Sequence, residues 1–308
     1  MASLACLSDR DLVACIVQFQ HGIYDSLRHR FHAWKLKKEL KQKDQEHTYR
    51  DLFVLDHFDR RYVLHEAILQ GELDIVMQIE RCQVDLVTCA AMDCAARHGQ
   101  LKILSFLHTI GYACTTKAMD LAAIHGHFDI VCFLHKYRIE GCSVNAMIGA
   151  AENGFLDIVA FLHQYRTEGC TSRAMDYASR NGHLNIVQFL HFNRQEGCSS
   201  IAMDFAAAHG HLDIVKFLNT NRTEGCSTYA MDGAARNGHF HVVKYLNAHR
   251  QEGCSRKAAV YALRQGHNEI ATFLHDNYQV DATIHRKLRR PFTKRRVHHR
   301  SHLPLILR

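Results

Sequence analysis

The chain has 308 residues, 47% of them hydrophobic, and a formal net charge of +7; this excludes a mostly disordered polymer, and the length alone suits about two globular domains. No apolar run approaches the roughly 20 residues that span a bilayer, and the opening MASLACLSDRDLVAC lacks the basic-then-apolar order of a secretion signal. The expectation is an intracellular protein, cytoplasmic, nuclear or both, without a transmembrane segment; export by an unconventional route is compatible with the same features.

Residues 1–61 form the first segment. Ser8-Asp9-Arg10-Asp11 reads as a capping box. Apolar positions Leu12, Ile16, Phe19, Ile23, Leu27, Phe31 and Trp34 follow at helical three- and four-residue spacing. The plain reading is a helical cap over the segment that follows. Residues 35–50 are a charged connector, a solvated helix or linker.

From residue 62 to 280 one unit recurs. Its leading alanine returns at Ala91, Ala118, Ala146, Ala174, Ala202, Ala230 and Ala258, and a glycine eight residues later returns from Gly99 to Gly266, with an earlier Gly71 in register. The period is 28 residues, with one interval of 27, so about eight units fill the segment. Thr115, Ser143, Thr171, Ser199, Ser227 and Ser255 precede an alanine-rich helix as N-caps, and the glycine closes it in the left-handed conformation. A second helix, as in Leu212-Asp213-Ile214-Val215-Lys216-Phe217-Leu218, is apolar on most faces and is therefore enclosed between neighbouring units. Acids such as Asp129, Asp157 and Asp213 open it, and Arg138, Arg166, Arg194, Arg222 and Arg250 stand near its end, placements that suit the helix dipole. Glu-Gly-Cys then turns the chain into the next unit. Both prolines, Pro291 and Pro304, lie beyond the repeats, as expected of helices joined by short turns. A unit of this size cannot bury its apolar face alone, so the fold is an all-α stack.

Leu64-His65-Glu66-Ala67 with Gly71-Glu72-Leu73-Asp74-Ile75-Val76, and Ala206-Ala207-Ala208-His209-Gly210-His211-Leu212-Asp213-Ile214-Val215, resemble the ankyrin repeat. The resemblance covers the repeat segment and implies a solenoid of about eight stacked helix-turn-helix repeats with a helical N-terminal cap. The unit departs from the family in three ways: 28 residues stand in place of about 33, the helix start lacks proline, and Met-Asp replaces Leu-His in most units. The deletion falls where ankyrin repeats carry a β-hairpin finger, so short or missing fingers are expected.

Symmetry-breaking positions point to a binding face. The positions nine, five and two before the glycine vary while their neighbours hold constant, and their i, i+4, i+7 spacing puts them on one face of the first helix. In ankyrin stacks that layer lines the concave surface, which makes Lys117, Arg173, Tyr177, Arg180, Phe205, Tyr229, Arg236, Lys257, Tyr261 and Arg264 the candidate partner-binding residues. From Arg173 onward basic and aromatic residues alternate, the chemistry of interface hot spots. The plain alternative is drift at exposed positions. If the position five before the glycine is buried instead, Phe205 and Tyr261 leave the site.

The apparent reactive chemistry is periodic. Cys114, Cys142, Cys170, Cys198, Cys226 and Cys254 occupy one repeat position, too far apart in helices about 8–10 Å apart to form disulfides, and read as reduced apolar fillers. His127, His183, His211, His239 and His267 follow the glycine, where imidazole can cap the second helix. No catalytic or nucleotide-binding motif is present, so no enzyme activity, no metal site and no cofactor are expected.

The segment 281–308 carries no acid beyond Asp281 but nine Lys/Arg residues; without them the first 285 residues stand at about −2. Arg286, Lys287, Arg289, Arg290, Lys294, Arg295 and Arg296 read as a nuclear-targeting cluster or as a solubilising extension, with nucleic-acid or acidic-membrane contact confined to this tail. The combined expectation is a monomeric, non-catalytic scaffold that binds a partner protein, an acidic or phosphorylated segment suiting its cations. The alternatives are a ubiquitin-ligase adaptor, through F-box-like helices at 12–34, and a nuclear protein associated with nucleic acid through the tail.

Overall fold

The computed structural model describes residues 24–39, 59 and 61–278. Among them are 17 α-helices, one short 3-10 turn at Val84–Leu86 and no strand. Helix α1 is Asp25–Glu39. Sixteen further helices follow in pairs: α2 (Tyr62–Gln70) and α3 (Leu73–Cys82), α4 (Cys89–Arg97) and α5 (Leu101–Ile110), α6 (Thr116–Ile124) and α7 (Phe128–Tyr137), α8 (Val144–Asn153) and α9 (Leu156–Tyr165). The series continues with α10 (Arg173–Arg180) and α11 (Leu184–Asn193), α12 (Ser200–His209) and α13 (Leu212–Asn221), α14 (Thr228–Arg236) and α15 (Phe240–His249), α16 (Ala258–Arg264) and α17 (Asn268–Tyr278). The chain divides into two compact units, residues 1–202 and 203–308, with the division inside α12.

In unit 1 the first helices α2, α4, α6, α8 and α10 lie side by side, and α3, α5, α9 and α11 make lighter contacts behind them. Alanine permits the close first layer: Ala118, Ala122 and Ala123 of α6 are fully buried, as are Ile130 and Val131 of α7. Each second helix supplies the branched side chains that fill the space between pairs. Helix α1 rests on α2 and α3, with Leu27 fully buried and the Arg30 guanidinium 2.6 Å from the Glu72 carboxylate. In unit 2, α14 lies against α16, and α13, α15 and α17 follow one another as the second layer. The shortened unit joins its helices without a hairpin finger: α7 runs into α8 through 138–143 alone, with no strand.

The expected caps are present. The Thr115, Ser143 and Ser227 side chains each accept the amide two residues on, at 3.1 Å, from extended backbone. The glycines closing the first helices are left-handed, with φ 74° at Gly99 and 84° at Gly210. At Gly99 the missing side chain has a second purpose, since a Cβ there would stand 2.7 Å from the His127 ring.

Three periodic residue types act across the repeat junction, and the histidine role contradicts the sequence expectation while the other two go beyond it. The Asp that replaces the family's His is buried and clamps the next repeat. Asp93 Oδ1 accepts the Thr115 amide at 2.9 Å and Oδ2 the Thr115 hydroxyl at 2.7 Å; Asp120 does the same for Ser143, Asp176 for Ser199 and Asp204 for Ser227. One hydroxyl therefore donates to the preceding repeat while accepting from its own helix. Ile148 breaks the series. The Thr171 clamp is absent, Ser172 takes helical angles as the N-cap without a side-chain bond, and α10 starts late, at Arg173.

The histidine after the glycine does not cap its own helix as expected. His127 and His183 make no cap bond; their Nε2 atoms reach back to the carbonyls of Arg97 (3.0 Å) and Glu152 (3.1 Å), the free C-terminal carbonyls of the preceding first helix. The side-chain amide of Asn181 donates to the same Glu152 carbonyl at 2.7 Å, and Asn237 to Ala208 likewise.

The arginines ending the second helices do more than suit a dipole. Arg138 sits in extended backbone past α7, its guanidinium paired with Glu140, and the same pairing joins Arg166 to Glu168, Arg194 to Glu196, Arg222 to Glu224 and Arg250 to Glu252. Hydrogen bonding from Arg138 holds the Glu140 carboxyl down at about 2. Glu168 also accepts the Cys142 amide at 3.3 Å, tying the pair to the preceding repeat.

Candidate functional site: the first-helix face

The junction bonds fix the exposed edge of each first helix, so side chains nine, five and two before the glycine are set in rows. Positions nine before it are exposed, as at Lys117, Arg173, Tyr229 and Lys257. Positions five before it are half-buried or buried, which corrects the inference that free variation means full exposure. The cause is a contact between repeats: the side chain two before the glycine leans on the residue five before the next one. A Cβ on Gly149 would stand 2.2 Å from Ile124 Cγ1, and one on Gly233 would stand 2.6 Å from the Ala208 Cβ. Ile124 is matched by Gly149 and Ala208 by Gly233, so variation at these two junctions is partly covariation of packing.

These rows enclose a depression of about 440 Å³ in each unit. In unit 1 Leu121, Ile124 and Ile148 make an aliphatic floor over Gly149, with Lys117, Arg173 and Tyr177 around it together with two acids, Asp120 and Glu152. In unit 2 the lining includes Tyr229, Tyr261, Arg236, Lys257 and Asp232, over Gly233. Tyr229 is 53% exposed, and the Arg236 guanidinium stands 5.9 Å from the Tyr261 ring centroid, within cation–π range.

Of the ten residues singled out by sequence, Lys117, Arg173 and Tyr177 line the first depression and Tyr229, Arg236, Lys257 and Tyr261 the second. Arg180, Phe205 and Arg264 line neither. Arg180 is held 3.2 Å from the Glu152 carboxylate and 5.6 Å from the Tyr177 ring, Phe205 is half-buried in α12, and Arg264 is exposed at the end of α16. Lys117, Arg173, Arg236 and Lys257 have no ion pair among the described residues. Asp232, Ser255, Asp120 and Arg97 also line the depressions and were not singled out. The constant spacing of 22 or 23 residues between Asp and Ser/Thr was the signal that could have placed the first two.

The periodic cysteines carry free thiols. Burial pushes Cys142 up to about 12 and Cys114 to about 11, which leaves little thiolate at neutral pH. Imidazoles of the H-x-H pairs stand 6.3–6.4 Å apart between ring centroids, and among the described residues no group of three or more His, Cys, Asp or Glu side chains is arranged to hold a metal ion. No helix of the described residues is long and apolar enough to cross a membrane. The tail cluster Arg286, Lys287, Arg289, Arg290, Lys294, Arg295 and Arg296, and positions 12–23 of the recruiting-helix reading, lie outside the described residues.

A family profile described as ankyrin repeats (3 copies) matches residues 118–204 and 203–285. No curated protein matches the sequence.

Proposed function

Because the chain belongs to the ankyrin-repeat family, whose members are in general protein–protein interaction scaffolds, we propose that it is a non-catalytic scaffold whose first-helix face binds an acidic segment of a partner protein. The observation that carries this reading is the pair of depressions, lined by Lys117 and Arg173 in unit 1 and by Arg236 and Lys257 in unit 2. These cations have no ion-pair partners among the described residues and stand beside Asp120 and Glu152 in the first and Asp232 in the second. Exposed Lys and Arg beside Tyr supply both steering and anchoring for a negatively charged chain. In this reading the protein is monomeric, acts inside the cell, needs no cofactor, and uses its basic tail for nuclear import.

The test is affinity capture from cell extract with quantitative mass spectrometry, comparing the natural chain with Lys117→Glu/Arg173→Glu and with Arg236→Glu/Lys257→Glu. Lys136→Glu, on the exposed side of α7, is the control. The expected result is that both double variants release the same protein by about tenfold or more, while the control retains it. Equal retention by all four chains would overturn the reading.

A further inference from the structure

The depression of unit 2 differs from an ordinary basic patch in three respects. Its cations come from successive repeats, Arg236 at the end of α14 and Lys257 just before α16, yet line one concavity of about 440 Å³, within the range of ligand pockets. Both lack an ion pair among the described residues, whereas Arg180 has Glu152 at 3.2 Å. The repeat preceding Arg236 offers Ala208 where the one preceding Arg180 offers Glu152, so Arg236 is held over the Tyr261 ring rather than by an acid.

Ser255 is the third difference. The hydroxyls of Ser143, Ser199 and Ser227 each donate to a carboxylate of the preceding repeat, at 2.6, 2.9 and 2.7 Å. Ser255 keeps the amide bond to Asp232 Oδ1 (2.8 Å) and accepts the Lys257 amide (3.2 Å), but among the described residues its hydroxyl proton has no carboxylate acceptor. The pocket therefore offers two full positive charges and a free hydroxyl donor, against one acid, Asp232, already engaged by the Ser255 amide.

The walls set the rest of the ligand. Tyr229 and Tyr261 present rings, and the floor at Ala208 and Gly233 carries no polar side-chain atom. A flat apolar group fits between such walls by ring-to-ring contact. A phosphomonoester at its end, carrying about −1.5 to −2 charge and three acceptor oxygens, answers both cations and the hydroxyl, which a single carboxylate does not.

We propose that the unit 2 depression of the first-helix face is a receptor for an aryl phosphate, namely a phosphotyrosine side chain of the bound partner segment. This deepens the scaffold reading and rests on it. The test is a relaxation-optimised NMR titration of the full chain with N-acetyl-O-phosphotyrosine amide, beside the phosphoserine analogue, N-acetyl-tyrosine amide and inorganic phosphate. The expected result is that phosphotyrosine shifts the Tyr229, Gly233 and Ser255 amides and binds about tenfold or more tighter than each of the others. Arg236→Ala and Lys257→Ala each weaken it severalfold, and Lys136→Ala, outside both depressions, leaves it unchanged.

Equal binding of inorganic phosphate or phosphoserine would overturn the proposal in favour of a bare anion site, and absence of shifts at those amides would overturn it outright. If the titration fails while Arg236→Glu/Lys257→Glu still releases the captured protein, the phosphotyrosine assignment falls and the scaffold reading stands. If both double variants also retain that protein, both fall.

Discussion

The depressions of unit 1 and unit 2 are built from equivalent repeat positions, yet one has an aliphatic floor with Tyr177 beside it and the other two tyrosine rings, Tyr229 and Tyr261, over small residues. Ile124, Asn145, Ile148 and Glu152 in unit 1 stand where Ala208, Tyr229, Asp232 and Arg236 stand in unit 2. Unit 2 keeps the buried-side Asp232, which brings a carboxylate and Ser255 to the pocket. Unit 1 has Ile148 in that place, 8% exposed, which adds an apolar side chain to the floor, while the carboxylates there, Asp120 and Glu152, come from other positions. A position that serves the frame in most repeats thus shapes the face in one of them. The frame and the binding surface share residues, and the surface can change only where the frame tolerates it.

The largest expected effect comes from breaking the clamp where it is intact. Asp204→Ala in unit 2 removes the buried carboxylate that accepts both the Ser227 amide and its hydroxyl, and should lower unfolding stability by about 2 kcal/mol, read by urea denaturation of the full chain. In unit 1, Ile148→Asp places an acid 23 residues before Thr171, the spacing of the intact clamps. That variant should slow hydrogen exchange at the Thr171 amide and stay within about 1 kcal/mol of the natural chain. A cost like that of Asp204→Ala would show that the two junctions are not interchangeable.

A smaller effect should come from the matched pair under the unit 1 depression. Gly149→Ala forces a methyl into Ile124 and should cost about 1–2 kcal/mol. Adding Ile124→Ala, which recreates the size at Ala208 in unit 2, should remove most of the clash in a double-mutant cycle. Strict additivity would mean that the two side chains do not meet.

The smallest effect concerns what both units share. The Arg partner holds Glu140 in unit 1 and Glu252 in unit 2 at about 2, below the ordinary 4.5. A depressed folded pKa stabilises the fold above the ordinary value and loses that contribution as pH falls toward 2. Asp93 has the opposite sign, because burial pushes its carboxyl up, so protonating it on acidification favours the fold. Glu140→Gln and Glu252→Gln should each flatten the loss of thermal stability between pH 4.5 and 2, by about 0.5 kcal/mol and equally in both units.

Much of this organisation was legible in the residues. The alanine and glycine registers mark the helix pairs, the Ser/Thr positions mark the caps, and the i, i+4, i+7 triplets mark the face, because each depends on contacts within a turn or two of chain. Arg180 could not be recognised as paired, since Glu152 stands 28 residues earlier. His127 was read as a local cap because its own helix is the nearest partner in sequence, whereas the nearest unsatisfied carbonyl in space belongs to Arg97.

The sequence by itself determined the repeat, its all-α character and the row of positions free to differ between units, since periodicity and capping are local properties copied from one repeat to the next. Only the tertiary structure decided which of those positions form a pocket and which cations remain unpaired there. Both depend on what the neighbouring repeat places opposite: glycine against Ile124, alanine before Arg236, and a carboxylate beside Arg180.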